Sequence, residues 1–286
     1  MAHPVVHVHT EAALPSPGTE PARPIPDRGL VHVWRIPLAG PPADAALAAA
    51  ARVLGAGERV RAERLRLDAD RRRWTAARVA LRTVLSWYTG MRPDLITLAY
   101  GRHGKPRLAG RPPGGLRFSL SHSHDRALLA VCRGVPVGVD LEHPSAGPAD
   151  GRDLDDLAAA VLAPAELHSY LGLPAARRRA ALLRRWTGKE AVLKATGRGV
   201  TLSAARRLVV PEGTGSPSGL PGQWTLLRPC QDDGYTAAVC VLGKDWNVVC
   251  TDFTGLTPED RPPTGRGWTP HGPALSRSGG PAARHG

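Results

Sequence analysis

The sequence predicts an α+β protein made of two similar halves, each with a strand, helices and then a small antiparallel sheet. Residues 29–36 alternate apolar and polar side chains, the pattern of a half-buried strand. Leu182, Trp186 and Leu193 lie on one face of a 3.6-residue period, which predicts a helix with an apolar stripe. The second half begins near Val137. With 42% hydrophobic residues, the 286-residue chain has enough apolar side chains for a core.

Four segments divide the chain. Residues 1–28 are rich in proline and show no apolar periodicity, which predicts a disordered arm. Residues 29–136 form the predicted N-terminal half, and residues 137–255 form the predicted C-terminal half. Residues 256–286 contain mostly Pro, Gly, Arg and Ser without periodicity, and we expect a second disordered tail.

The N-terminal half follows its opening strand with helices and further strands. The predicted helical regions are 43–54 and 58–88, and the later predicted strands are 95–100, 116–120 and 126–132. The 58–88 region is rich in arginine, and its later part packs against the core through Trp74 and Leu81. Gly104-Lys105-Pro106 is a turn by composition that presents Lys105 outward. The hydroxyls and imidazoles of residues 119–124 can donate hydrogen bonds to phosphate or cap a turn.

The C-terminal half is predicted to start with a strand that pairs in a hairpin with 126–132 through Arg133-Gly134. Helices follow, one ending at Leu162, one beginning at Pro164, and then the helix that contains Trp186. The remaining predicted strands are 208–210, 223–228, 235–242 and 247–250, with a Gly/Ser/Pro loop at 213–222 and a hairpin turn at Asp233-Gly234.

Three carboxylates stand out in this half. Asp140 and Glu142 alternate with apolar residues, so both point to one face of their strand. Glu190 lies within the apolar stripe of the helix, and Lys194 projects from the same face one turn later. A Glu followed by a Lys at this spacing is also an ordinary surface pair, and two acids at a strand end are also an ordinary polar edge. Together, Asp140, Glu142 and Glu190 would supply the hard oxygen ligands that Mg²⁺ prefers.

Composition narrows the class of protein. The formal net charge of +13 suits a polyanionic partner: nucleic acid, a phosphate-rich cofactor or an acidic protein. The chain has no apolar run long enough to cross a membrane, and its N-terminus lacks the charged-then-apolar order of a secretory signal. We therefore expect a soluble cytoplasmic protein. The cysteines are sparse and lack a Cys-x-x-Cys pair, which predicts buried free thiols and argues against a structural zinc. They are Cys132, Cys230, Cys240 and Cys250.

Two motifs of the C-terminal half resemble the 4′-phosphopantetheinyl transferases, and in particular the surfactin-synthetase-activating type, in which two pseudo-symmetric α/β halves form a monomer. The motifs are Gly138-Val139-Asp140-Leu141-Glu142 and Trp186-Thr187-Gly188-Lys189-Glu190-Ala191-Val192-Leu193-Lys194. Supporting matches are Gly104-Lys105-Pro106, Phe118-Ser119-Leu120-Ser121-His122-Ser123 and Ala77-Arg78-Val79-Ala80-Leu81-Arg82. The resemblance covers roughly residues 30 to 255, and both tails lie outside it.

This resemblance implies that the active site lies in the cleft between the halves, where coenzyme A is the co-substrate. Asp140, Glu142 and Glu190 would hold Mg²⁺, with Mn²⁺ as the possible alternative, on the pyrophosphate of the coenzyme. Lys194 would contact the same pyrophosphate and stabilise the leaving 3′,5′-ADP. Glu190 would take the proton of the attacking serine hydroxyl, directly or through a metal-bound water.

The resemblance also implies further coenzyme contacts. Ser121 and His122 resemble phosphate contacts, and Lys105 resembles a turn lysine near the nucleotide. Arg61 falls where the family places a basic residue for the 3′-phosphate, although Arg59 and Arg64 are close enough to take that role. The acceptor would be an apo acyl or peptidyl carrier protein of fatty-acid, polyketide or non-ribosomal peptide synthesis.

Two alternatives stay open at this point. A basic nucleic-acid-binding protein would explain the charge and the arginine-rich region, but it leaves three acids unexplained, because carboxylates repel phosphate. An inactive member of the same fold is the other alternative, against which the intact acids and Lys194 argue. The 213–222 loop and the two tails depart from the compact form of the family, which leaves partner recognition open.

Overall fold

The computed structural model describes residues 6–8, 25–145, 151–229 and 234–255. Its strands are β1 (Val6–Val8), β2 (Leu30–Pro37), β3 (Leu98–Tyr100), β4 (Pro106–Leu108), β5 (Leu116–Ser123), β6 (Arg126–Arg133), β7 (Val137–Glu142), β8 (Trp224–Leu227), β9 (Thr236–Leu242) and β10 (Asn247–Asp252). Its α-helices are α1 (Pro41–Val53), α2 (Ala56–Glu63), α3 (Asp68–Thr89), α4 (Gly151–Val161), α5 (Pro164–Leu171), α6 (Ala175–Thr196) and α7 (Leu202–Arg206). The mixed content confirms the predicted α+β class.

Two sheets pack face to face between layers of helices. The first has the order β1-β10-β2-β6-β5, and the second has the order β7-β9-β8. A core that includes Val33, Ala130, Val139 and Val239 fills the space between the sheets. Strand side chains alternate in direction, so neighbouring residues such as Trp34 pack on the outer face of the first sheet, against α1 and α3. The outer face of the second sheet packs against α4, α5, α6 and α7.

Some strands pair across the predicted boundary between the two halves. Strand β10 belongs to the C-terminal segment, but it pairs in parallel with β2 of the N-terminal sheet, with Val248 opposite Val31. The predicted disordered arm contains β1, which pairs with β10. The rest of residues 1–24 and the predicted tail from 256 onward lie outside the described residues. The first sheet therefore contains strands from both sides of residue 136/137.

The predicted hairpin between β6 and β7 is wrong. β6 instead forms a hairpin with β5, with Ser123 opposite Arg126, and its other edge pairs with β2. β7 leaves this sheet and pairs antiparallel with β9, with Asp140 opposite Ala238. The turn composition at Arg133-Gly134 correctly marks a reversal of the chain, but a reversal does not determine which strand the chain pairs with afterwards.

The structure also differs from the sequence predictions in two helical regions, one strand and one cysteine. The 58–88 helical region is two helices, α2 and α3, and α7 was not predicted. The 208–210 strand reduces to an isolated bridge between Val209 and Ser218. Cys132 and Cys240 are buried free thiols, as expected, whereas Cys250 is disulfide-bonded, so the expectation of a free thiol is wrong there. Cys230 and the predicted turn residue Asp233 lie outside the described residues.

Candidate active site

Strand β7 presents its carboxylates to helix α6. Val139 and Leu141 enter the core between the sheets, so Asp140 and Glu142 face the opposite way, as the alternation predicts. Gly138 lies on that same face. A Cβ atom built there would be 2.1 Å from the carbonyl oxygen of Ala191 and 2.3 Å from the backbone nitrogen of Ala195. The missing side chain is therefore what lets α6 lie directly on the strand.

Helix α6 brings Glu190 and Lys194 to these carboxylates. It ends at Gly197, whose φ of 67° is a left-handed conformation that glycine adopts readily. The Lys194 ammonium lies 3.2 Å from Glu190 Oε2, forms an ion pair with Asp140 Oδ1, and donates a 3.0 Å hydrogen bond to Ser121 Oγ. The single positive charge of the lysine is thus shared between one carboxylate on its own helix and one on the strand.

The three predicted carboxylates converge. Each of Asp140, Glu142 and Glu190 offers an oxygen, and these oxygens all lie within 4.8 Å of one another. Asp140 is only 1% exposed, and its Oδ2 atom is buried without a hydrogen-bond partner among the described residues. A buried carboxylate oxygen without a donor is costly unless a cation balances it. The all-oxygen donor set and this free oxygen fit a hard divalent cation such as Mg²⁺.

Crowding shifts the pKa values of the cluster. Burial, followed by repulsion from Asp140, raises the pKa of Glu190 to about 7. Burial and the Asp140 charge likewise raise the pKa of Glu142, although hydrogen bonds from Ser123 and Trp186 oppose the shift. Burial alone would lower the pKa of Lys194, but attraction to Asp140 and Glu190 outweighs it and raises that pKa. Burial, together with the neighbouring carboxylates, therefore raises the pKa of Glu190 to the neutral range.

Strand β5 lies beside β7 and adds hydroxyl groups to the site. Ser121 donates a 2.8 Å hydrogen bond to Asp140 Oδ1, and Ser123 donates a 3.1 Å hydrogen bond to Glu142 Oε2. His122, between them, is exposed. Its pKa is lowered by desolvation first and by the Lys194 charge second. The predicted phosphate contact Ser121 thus borders the carboxylate cluster, whereas His122 lies on the other side of β5, and its phosphate contact stays a prediction.

The structure places Lys105 and Arg61 differently. The Lys105 ammonium donates to the backbone carbonyls of Val137, at 2.6 Å, and Lys194, at 2.7 Å, so it ties β7 to α6. Burial is the main reason that its pKa is lowered to about 8. Arg61 is exposed on α2, with its guanidinium carbon 5.8 Å from the centre of the Trp74 ring. Nucleotide contacts for both residues stay predictions.

Two contacts near the site were not predicted from the sequence, although Ser123 belongs to the 119–124 group named above. Lys189 is fully buried where α6 meets α5 and α7, and it donates to the carbonyl of Ala205 at 2.9 Å and pairs with Glu166 at 2.6 Å. Ser123 bonds to a carboxylate of the cluster. Lys189 directly precedes Glu190, and Ser123 is the third serine of β5, so both residues lie within the sequence motifs. Their positions in the sequence do not indicate which residues they contact.

Taken together, one buried and two half-buried carboxylates, a lysine and hydroxyl donors meet at the joint of two sheets, an arrangement that suits an enzyme acting on a phosphate-bearing substrate. Residues 136–240 match the family described as the 4′-phosphopantetheinyl transferase superfamily. This matched segment contains the carboxylates and Lys194.

Curated proteins with similar sequences extend the match beyond that segment. The 4′-phosphopantetheinyl transferase HetI of Nostoc sp. is 38% identical over 76% of this chain and 89% of its own length. The 4′-phosphopantetheinyl transferase AcpT of Salmonella typhi is 34% identical over 65% of this chain and 80% of its own length. The 4′-phosphopantetheinyl transferase psf-1 of Bacillus pumilus is 31% identical over 50% of this chain and 58% of its own length. The chain belongs to the 4′-phosphopantetheinyl transferase superfamily.

Proposed function

We propose that this protein transfers the 4′-phosphopantetheine group of coenzyme A to a serine of an acyl or peptidyl carrier protein, releasing 3′,5′-ADP. The observation that carries the proposal is the convergence of Asp140, Glu142 and Glu190 beside Lys194, inside the two motifs of the family.

We further propose that the protein is a monomer of the surfactin-synthetase-activating type, because two sheets within one chain complete the site. Each helix among the described residues is too short or too polar to cross a membrane. We propose a cytoplasmic location, where coenzyme A and carrier proteins are both available.

Asp140, Glu142 and Glu190 would hold Mg²⁺ or Mn²⁺. When bound, the cation neutralises charge that builds on the pyrophosphate oxygens as the phosphoanhydride bond breaks. Lys194 already lies against two of these carboxylates, so its ammonium is placed to reach a pyrophosphate bound next to them. Ser121 donates to Asp140 and accepts from Lys194, which fixes both groups relative to each other.

Glu190 is the proposed base. The serine oxygen of the carrier forms a bond to the phosphorus nearest pantetheine as the phosphoanhydride bond breaks, and 3′,5′-ADP leaves with the bonding electron pair. Glu190 accepts the serine proton. In the metal-free cluster the pKa of Glu190 is raised to about 7, so this carboxylate takes up a proton more readily than an ordinary glutamate does.

Coenzyme binding uses basic and polar groups outside the carboxylate cluster. Ser121 and His122 would contact phosphate oxygens, and Lys105 would lie near the nucleotide. Arg61, with Arg59 and Arg64 as substitutes, would bind the 3′-phosphate; its stacking on Trp74 keeps the guanidinium in a defined place while leaving it exposed. The net charge of +13 would speed encounters with the coenzyme and with an acidic carrier domain.

The test is intact-mass spectrometry of apo carrier domains after incubation with this protein, coenzyme A and Mg²⁺, with a chelator control. A gain of one phosphopantetheine that disappears with chelator is expected. If several acyl and peptidyl carriers gain no mass, calorimetry with coenzyme A distinguishes an inactive family member, which does not bind it, from a selective enzyme, which does. Stronger retention on heparin than on immobilised coenzyme A would instead favour nucleic-acid binding.

A further inference from the structure

Strand β5 carries a row of three serines that point towards β7. Ser119, Ser121 and Ser123 are two residues apart, so they lie on one side of the strand. β5 and β7 are in different sheets, and serine hydroxyls bridge the two strands. The backbone N–H of Val139 donates to Ser119 Oγ at 3.1 Å, and that of His143 donates to Ser123 Oγ at 3.0 Å.

Ser123 uses both hydrogen-bonding functions of its hydroxyl. One lone pair accepts from the His143 N–H, so the hydroxyl proton remains available for the Glu142 carboxylate, whose Oε2 lies 3.1 Å away. Because His143 directly follows Glu142 at the end of β7, its N–H also fixes the position of the serine beside that carboxylate. The carboxylate is thereby oriented from the opposite sheet.

We propose that Ser123 is a positioning residue for the divalent cation, acting through Glu142. This inference rests on the proposed function, because it takes the three carboxylates as the cation ligands. A carboxylate that is held by a hydrogen bond is already in the orientation that a ligand needs, and a carboxylate that rotates freely must lose that freedom on binding. Substituting such hydrogen-bond partners of metal ligands typically weakens metal binding about 10- to 100-fold.

Ser119 supplies a matched control. It lies on the same strand and the same side, is 2% exposed, and makes the same kind of contact with a backbone N–H of β7. Its partner, Val139, points into the core between the sheets rather than towards the carboxylates. Ser119→Ala therefore removes a bridge between the strands without removing a contact to a cation ligand.

The experiment measures Mn²⁺ binding to coenzyme-free protein by electron paramagnetic resonance, so it does not depend on activity. Ser123→Ala should raise the dissociation constant for Mn²⁺ at least about tenfold. Ser119→Ala should change it by less than about threefold, and Ser123→Thr, which keeps the hydroxyl, should recover most of the lost affinity. Thermal unfolding of each variant checks that all three fold.

Each contrary result has a distinct meaning. Wild-type affinity in Ser123→Ala overturns the proposal, and so does an equal loss in Ser119→Ala, since a general loosening of the strands would then explain both. If Ser123→Thr folds but binds Mn²⁺ as weakly as Ser123→Ala does, then loss of the hydroxyl is not the cause of the weaker Mn²⁺ binding. Wild-type protein that transfers phosphopantetheine but does not bind Mn²⁺ alone removes the basis of this inference and leaves the proposed function standing.

Discussion

Replacing Gly138 with alanine is expected to separate the two elements that carry the active-site carboxylates. The added Cβ would lie 2.1 Å from the carbonyl oxygen of Ala191 and 2.9 Å from the Cα atom of Ala195, whereas ordinary contacts begin at 3.4 Å. Both contacts are with the backbone of α6, so no side-chain rotation relieves them. The helix must move away from β7 by about 1 Å.

The size of the effect follows from this displacement. Overpacking of this kind costs about 1–3 kcal/mol of unfolding free energy. Activity should suffer more, because Glu190 and Lys194 lie on the displaced helix and Asp140 does not. A misplacement of about 1 Å can lower the rate of a positioned reaction by about 100-fold.

The assays are urea unfolding and the initial rate of phosphopantetheine transfer to a carrier domain. Gly57→Ala is the control, because a Cβ at this position of α2 meets nothing within 4 Å. That control should keep full activity and should gain stability, by about 0.5–1 kcal/mol. A Gly138→Ala protein with wild-type unfolding midpoint and transfer rate would refute the argument that this glycine sets the spacing of β7 and α6.

The remaining predictions concern the charged residues. Asp140→Ala should abolish transfer while the protein still folds, and retained activity in the mass assay would exclude Asp140 as a ligand. Lys194→Ala should lower kcat more than coenzyme affinity; equal losses in steady-state kinetics and calorimetry would limit its role to ground-state attraction. Lys189→Met leaves Glu166, 5% exposed, without its ion-pair partner, and should cost about 3–5 kcal/mol in urea unfolding. Wild-type stability in that variant would contradict this. Because burial raises the Glu190 pKa to about 7, folding of the metal-free protein favours its protonated form. The stability of wild-type protein relative to Glu190→Gln should therefore fall as pH rises from about 4.5 through 7. A pH-independent difference in urea unfolding would contradict the raised pKa.

Local periodicity predicted the parts of the site that lie within single elements. The alternation along β7 placed Asp140 and Glu142 on one face, and the helical period placed Glu190 one turn before Lys194. Partners across elements were not predictable in this way. The β5–β6 hairpin turns at His124, with a φ of 50° that glycine or asparagine usually marks, so composition gave no signal there.

The roles of lysines and serines depend on those unpredicted pairings. Lys105 belongs to a recognised turn motif, but its donation to the carbonyls of Val137 and Lys194 requires β7 and α6 to meet in space. Ser123 bonds to Glu142 only because β5 and β7 lie side by side in different sheets. None of these three contacts has a sequence signature, since the acceptors lie 19 to 89 residues away along the chain.

Charge balance explains why this site should need a cation. Asp140, Glu142 and Glu190 would carry three negative charges when ionised, and Lys194 compensates one of them. Two uncompensated charges in a largely buried cluster are unfavourable, and the raised pKa values of Glu142 and Glu190 reflect this, because proton uptake is the alternative means of neutralisation. A divalent cation supplies the same two positive charges without blocking the carboxylate oxygens with protons. Proton and cation therefore compete for one cluster, so the charge imbalance that destabilises the metal-free protein is what would favour cation binding at neutral pH.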